Sequence, residues 1–98
     1  MALSLDTILV PNPDFFLREE SDGAGILYDP NSGKVRILNE SSIAIWNLID
    51  GQRSITQILK ALKEAFGGID IDAEKDALET IECLYRYGAV GLPNTEIR

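Results

Sequence analysis

The sequence predicts an α+β domain in which a three-stranded antiparallel sheet precedes a three-helix bundle. Residues 15–38 contain short apolar stretches divided by two turn clusters, whereas residues 42–87 carry the three-to-four-residue apolar spacing of amphipathic helices. Strand and helix patterns are thus segregated along the chain, which favours α+β over an alternating α/β arrangement. The 98 residues contain no internal repeat and suffice for one domain.

Three short strands are predicted at residues 15–20, 24–29 and 34–38, each with aromatic or aliphatic residues. The clusters 21–23 and 29–33, rich in Asp, Asn, Ser and Gly, are typical of turns and separate the strands. The second and third strands therefore form a hairpin. The third strand is expected at or near a sheet edge, which its charges suit.

The third predicted strand alternates charged with aliphatic residues. This alternation predicts a half-buried strand with Val35 and Ile37 facing inward, and with Lys34 and Arg36 facing outward. Charged residues can protect an exposed edge from aggregation, and an exposed edge can equally accept a peptide as an added strand. The residues alone leave both alternatives open.

Two helices joined by a short link are predicted next, in a helix-turn-helix-like arrangement. The first covers about residues 42–49, with Asn39 as a candidate N-cap and Gly51 available for the left-handed position at its end. The second begins at Ser54, which forms a capping box with Gln57.

The third predicted helix covers about residues 73–87, with Asp72 as its N-cap and Gly88 at its end. The prolines near the N-terminus, without a helical period, indicate an extended, flexible lead-in. The predicted organisation is a lead-in over residues 1–12, a domain over residues 13–92 and a frayed tail over residues 93–98.

The composition disfavours a nucleic-acid or anionic-membrane partner. Nine Lys and Arg residues stand against 16 Asp and Glu residues, and the formal net charge is −7. Phosphate binding requires clustered basic residues. No apolar run approaches the roughly 20 residues of a membrane-spanning helix, and the N-terminus lacks the pattern of a secretory signal. A cytoplasmic location is therefore expected.

Catalytic and metal-binding chemistry finds no support in the residues. The chain has no histidine and one cysteine, Cys83, which helical spacing places on the outer flank of the third helix. The six acidic residues from Asp70 to Glu82 are typical of a solvated surface and lack the glycine and glutamate of a calcium loop. We therefore expect no cofactor, no metal and no catalytic residue, as in a binding module rather than an enzyme.

A series of short motifs carries a resemblance to a known family. In order they are Leu38-Asn39, Ser42, Ile45-Trp46, Asp50-Gly51 and Ser54-Ile55, preceded by the turn at 29–33 and followed by the run at 84–90. This ordered set resembles the PqqD family, named for the pyrroloquinoline quinone synthesis protein D, over about residues 13–92. The resemblance implies a winged helix-turn-helix-like fold.

The resemblance also implies a role as a non-enzymatic peptide chaperone. Such domains capture the leader of a ribosomally made precursor peptide by strand addition and present it to a modifying enzyme, often of the radical S-adenosylmethionine type. The implied site follows the third strand and one flank of the third helix. Its residues are Lys34, Val35, Arg36, Ile37, Leu38, Ala77, Thr80, Leu84 and Tyr87. The other flank, with Leu78, Glu82 and Arg86, is the less favoured alternative, and the motifs do not separate quinone synthesis from related peptide pathways.

Two further functions compete with peptide capture. A winged-helix DNA-binding regulator would use the same fold, but six acidic residues and one lysine between Asp70 and Glu82 would repel phosphate. An oligomeric or structural protein is the other, with a possible homodimer formed by strand exchange through the open edge and the N-terminal segment.

Overall fold

The computed structural model describes residues 3–20, 22–68 and 71–93. The elements in chain order are β1 (Val10–Pro11), β2 (Phe16–Glu19), β3 (Gly25–Asp29), β4 (Lys34–Leu38), α1 (Glu40–Leu48), α2 (Ile55–Ala65), α3 (Ile71–Tyr87) and β5 (Val90–Gly91). A three-stranded antiparallel sheet therefore precedes three helices, which confirms the predicted α+β, winged helix-turn-helix-like fold.

The sheet has the order β2-β3-β4, and both pairings are antiparallel. The central strand β3 alternates buried with half-buried residues, so that Gly25, Leu27 and Asp29 face the helices. Within the described residues, β4 pairs with β3 alone, which confirms the predicted position of the third strand at an edge.

The side chains of β4 face the opposite way from the sequence prediction. Val35 and Ile37 are 60% and 75% exposed and lie on the outer face of the sheet. Leu38, the buried residue of β4, shares its face with Lys34 and Arg36. The prediction was wrong because the inner side of this edge borders an open groove and a tyrosine ring. The long Lys and Arg stems cover such a surface while their charged ends stay in water.

The helix starts follow local capping rules, with one correction. The Asn39 side chain accepts from the Ser42 N–H at 2.9 Å at the start of α1. Both bonds of the predicted capping box between Ser54 and Gln57 are present at the start of α2. Helix α3 already includes Ile71, so Asp72 lies in its first turn and does not cap it. The apolar pattern hid this start because the first turn is largely exposed.

The N-terminal segment packs against its own domain through contacts that the sequence did not predict. Leu3 and Leu9 are buried in the core, and β1 pairs with β5 in a second, two-stranded sheet. The Thr7 carbonyl oxygen accepts from the Ile55 N–H at 3.0 Å. Of the predicted C-terminal tail, residues 94–98 lie outside the described residues.

A single apolar core joins the sheet, the N-terminal segment and the helices. Its large, fully buried side chains are Leu9, Leu27, Ile45, Ile55, Ile58, Ile81 and Leu84. The central strand β3 and all three helices contribute side chains to this set, whereas β4 contributes none. Among the residues of β4, only Leu38, at the end of the strand, is buried in this core.

The link between α1 and α2 depends on glycine at position 51. Gly51 has φ 81°, and an added Cβ would lie 3.1 Å from Cγ1 of Val10. Gly33 has a similar φ of 79°, but no described atom lies within 4 Å of its added Cβ. The two glycines therefore form a matched pair with the same backbone demand and different surroundings.

We expect Gly51→Ala to lower the free energy of unfolding by about 2 kcal/mol and Gly33→Ala by about 1 kcal/mol. Both variants carry the penalty of an L-residue in the left-handed region, and Gly51→Ala also crowds Val10. Urea unfolding of the two variants measures the difference. Equal losses would show that the N-terminal segment is not packed against this link.

Candidate functional site

A groove of about 590 Å³ separates β4 from α3. Arg36, Ile37 and Leu38 form its strand wall. The helix wall is formed by Ala73, Asp76, Ala77, Glu79, Thr80, Cys83 and Leu84 of α3. The groove continues past the end of β4, where it is lined by Asn39, Ser41, Ser42 and Ile45 near α1 and by Leu62 and Phe66 near α2. The groove is partly open to solvent.

The groove has an apolar floor and a polar rim. The floor consists of the buried residues Leu38, Ile45, Leu62, Ala77 and Leu84. A buried aliphatic floor with polar groups at its margins is typical of a surface that binds an organic ligand.

The charges of the rim are of opposite sign on its two sides. Arg36 lies on the strand wall, whereas Asp76 and Glu79 lie on the helix wall. All three residues are exposed, so their attraction for a ligand is screened by salt and contributes orientation more than affinity.

The groove brings together six of the nine residues that the sequence analysis selected. They are Arg36, Ile37, Leu38, Ala77, Thr80 and Leu84. The favoured flank of α3 therefore faces the groove. The alternative flank, with Leu78, Glu82 and Arg86, does not line it; there Arg86 pairs with Glu82 at 3.3 Å.

The remaining three selected residues, Lys34, Val35 and Tyr87, meet one another beyond one end of the groove. The Tyr87 hydroxyl donates to the Val35 carbonyl oxygen at 2.9 Å, and the Lys34 ammonium donates to the Tyr87 carbonyl oxygen at 3.1 Å. These two bonds tie the start of β4 to the end of α3. The groove therefore opens from Arg36 onward.

Cys83 corrects a further prediction. It is half-buried and lines the groove, rather than lying on an outer flank of α3. The prediction placed Cys83 on the side of the helix away from Ile81, which is fully buried. The groove face of α3 lies between the core side and the solvent side, so a residue away from Ile81 can still line the groove. Phe66 was the missed signal for the α2 end of the groove. It lies four residues after the buried Leu62, on the same face of the helix, yet it is 45% exposed, as expected for an apolar residue at a binding surface.

The free edge of β4 is defined by the direction of its backbone groups. The Val35 carbonyl oxygen points toward α3, where it accepts from Tyr87. Alternate residues of an antiparallel edge strand direct their N–H and C=O groups the same way, so Ile37 also presents both groups away from β3. Ile37 lines the groove, and its backbone pair is therefore available to an added strand.

The turn before β4 is held by a buried carboxylate. Asp29 accepts from the Asn31 N–H at 2.9 Å and from the Ser32 hydroxyl at 2.8 Å. The Gly33 N–H donates to the Asp29 carbonyl oxygen at 2.9 Å. The Ser32 hydroxyl bond lowers the pKa of Asp29 below its usual value; burial opposes this, and the backbone bonds and Lys34 reinforce it. The ionised form of Asp29 thus favours the folded hairpin.

We expect the stabilising contribution of Asp29 to be lost in acid. The folded pKa lies below the unfolded value of about 3.9, so the contribution is complete above that pH and disappears as the pH falls through the folded pKa. The measurement is the free energy of urea unfolding of wild type and Asp29→Asn between pH 7 and pH 2.5. Wild type should be more stable at pH 7, and the difference should shrink below about pH 4. A difference that does not change with pH would contradict this role.

The described residues contain no group of three or more His, Cys, Asp and Glu side chains placed to hold a metal ion. In the same ranges, no helix combines the length and the apolar character needed to cross a membrane.

A family model described as "Coenzyme PQQ synthesis protein D (PqqD)" matches residues 24–90. The match covers most of the 98-residue chain and includes β3, β4 and all three helices. The chain belongs to the PqqD family. Both walls of the groove lie within the matched residues, and membership supports a role in coenzyme PQQ synthesis as a PqqD-like protein. No curated protein and no solved structure matches the chain.

Proposed function

We propose that this PqqD-family domain captures the leader segment of a ribosomally made precursor peptide as an added strand on β4. The domain then presents the peptide to a modifying enzyme of the radical S-adenosylmethionine type in coenzyme PQQ synthesis. The observation that carries the proposal is the free edge of β4 beside a groove with an apolar floor.

The backbone of β4 supplies the affinity in this proposal. Ile37 directs its N–H and C=O groups toward the groove, so a peptide strand gains a reciprocal pair of hydrogen bonds there. Backbone pairing of this kind accepts many sequences, and the pockets on either side must therefore supply the selectivity.

The groove supplies that selectivity. Side chains of an added strand alternate between the two faces of the sheet, so every second peptide residue points at the buried floor between Leu38 and Ala77. An aliphatic or aromatic side chain fits this floor. The opposite charges of Arg36 and Asp76 on the two rims favour one orientation of a charged peptide.

The proposal is non-enzymatic, and its partners follow from the family. PqqD proteins are non-catalytic peptide-binding proteins, and the family suggests a peptide partner and an enzyme partner. The function is therefore transfer of a bound peptide, with the chemistry carried out by the enzyme.

No specific observation favours the competing functions. The described helix α3 carries five acidic residues against Lys75 and Arg86, a charge that repels DNA phosphate. The N-terminal segment pairs with β5 of its own chain, which gives a strand-exchanged dimer no particular support.

The proposal is tested by an amide NMR titration with the precursor peptide encoded beside the gene. Shifts should concentrate at residues 36–39 and on the Ala77–Thr80–Leu84 flank of α3. Shifts confined to the Glu82–Arg86 flank, or none at peptide concentrations far above micromolar, would overturn peptide capture at this groove.

We expect Thr80→Phe to weaken peptide binding by about tenfold or more, because the ring fills the groove that the peptide side chain would occupy. Lys75→Phe is the matched control: it adds the same ring to an exposed position of α3 that does not line the groove. Calorimetric titration of both variants measures the affinity, and thermal unfolding checks that each is folded. Unchanged affinity in Thr80→Phe would contradict the proposed site.

A further inference from the structure

We infer that Tyr87 fixes the register of the bound peptide, because it occupies the Val35 carbonyl and so restricts strand addition to the Ile37 end of β4. The inference rests on the proposed function. It adds a residue that determines specificity without lining the groove.

The edge of β4 offers two residues for pairing, and one of them is already engaged. Val35 and Ile37 both direct backbone groups away from β3. The Val35 carbonyl oxygen accepts from the Tyr87 hydroxyl at 2.9 Å, whereas Ile37 borders the open groove. A peptide that pairs with Ile37 loses no existing bond, but one that extends to Val35 must compete with the Tyr87 hydroxyl for the Val35 carbonyl oxygen.

Tyr87 is held in place from several sides. Its ring lies 5.9 Å from the ring of Phe15, centroid to centroid, at an interplanar angle of 58°. Lys34 Nζ lies 5.4 Å and Arg36 Cζ lies 5.5 Å from the ring centroid. The Lys34 ammonium also donates to the Tyr87 carbonyl oxygen at 3.1 Å. Displacing the hydroxyl therefore disturbs a ring contact and two cation–π contacts together.

Lys34 and Arg36, on the inner face of β4, both lie over the tyrosine ring and help to hold it at the strand edge. Because the tyrosine ends the accessible edge, the peptide residue opposite Ile37 is the first one that can pair. The apolar residue that enters the groove is then set at a fixed distance from that pair.

Tyr87→Phe is the test, since it keeps the ring, the Phe15 contact and both cation–π contacts and removes only the hydroxyl. The probes are synthetic peptides that span the leader of the precursor peptide encoded beside the gene, shortened one residue at a time from either end. The affinity of each peptide is measured with wild type and Tyr87→Phe. The ¹³C shift of the Val35 carbonyl is followed in both proteins at peptide saturation.

We expect full-length leader peptide to bind Tyr87→Phe about fivefold more tightly than wild type, because a peptide N–H no longer competes with the Tyr87 hydroxyl for the Val35 carbonyl oxygen. In one of the two shortening series the gain should vanish once the peptide no longer reaches Val35. The Val35 carbonyl shift should move on binding in Tyr87→Phe and stay unchanged in wild type.

Two results would overturn the inference while leaving the proposed function intact. One is equal affinity of both proteins for every peptide, and the other is movement of the Val35 carbonyl shift in wild type. Tyr87→Leu, which removes the ring as well as the hydroxyl, tests whether Tyr87 has a structural role only. In that case the variant would bind every peptide more weakly, by the same factor at every length. Absence of binding to both proteins would instead overturn the proposed function, and the register with it.

Discussion

The backbone of β4 pairs with β3 along one side, which leaves the hydrogen-bonding groups of Val35 and Ile37 directed toward α3. Leu38 is the buried residue of β4, and a groove separates the strand from α3. The groove and its apolar floor both follow from that separation. At one end of β4 the Tyr87 hydroxyl donates to the Val35 carbonyl oxygen. At the other end the backbone groups of Ile37 remain open to the groove.

Much of the fold could be predicted because each element carries its own signal. The capping box of Ser54 and Gln57 and the N-cap of Asn39 are local features, and both are present as expected. The edge position of β4 was also indicated by residue patterns, whereas a site on one flank of α3 was implied by the family resemblance. A period of two or of 3.6 residues survives in the sequence whatever the tertiary context.

The parts that could not be predicted depend on contacts between distant residues. Alternation in β4 predicts a strand, but it does not say which set of residues faces the helices. That depends on Leu38 and on Tyr87, which lies 52 positions beyond Val35. Pairing of β1 with β5 joins the two ends of the domain and leaves almost no local pattern in strands of two residues. The prediction for Cys83 was wrong for the same reason. The position of β4 determines which face of α3 lines the groove, and the helix sequence alone does not show it.

The measurement that tests strand addition most directly is hydrogen exchange at the Ile37 amide, followed by NMR with and without the leader peptide. In the free domain this N–H faces the open groove, and fast exchange is expected. At peptide saturation it should become strongly protected, while helical amides outside the groove, such as that of Lys60 in α2, should not change. An Ile37 amide that exchanges equally fast with peptide bound would contradict pairing on β4, even if the peptide binds elsewhere in the groove.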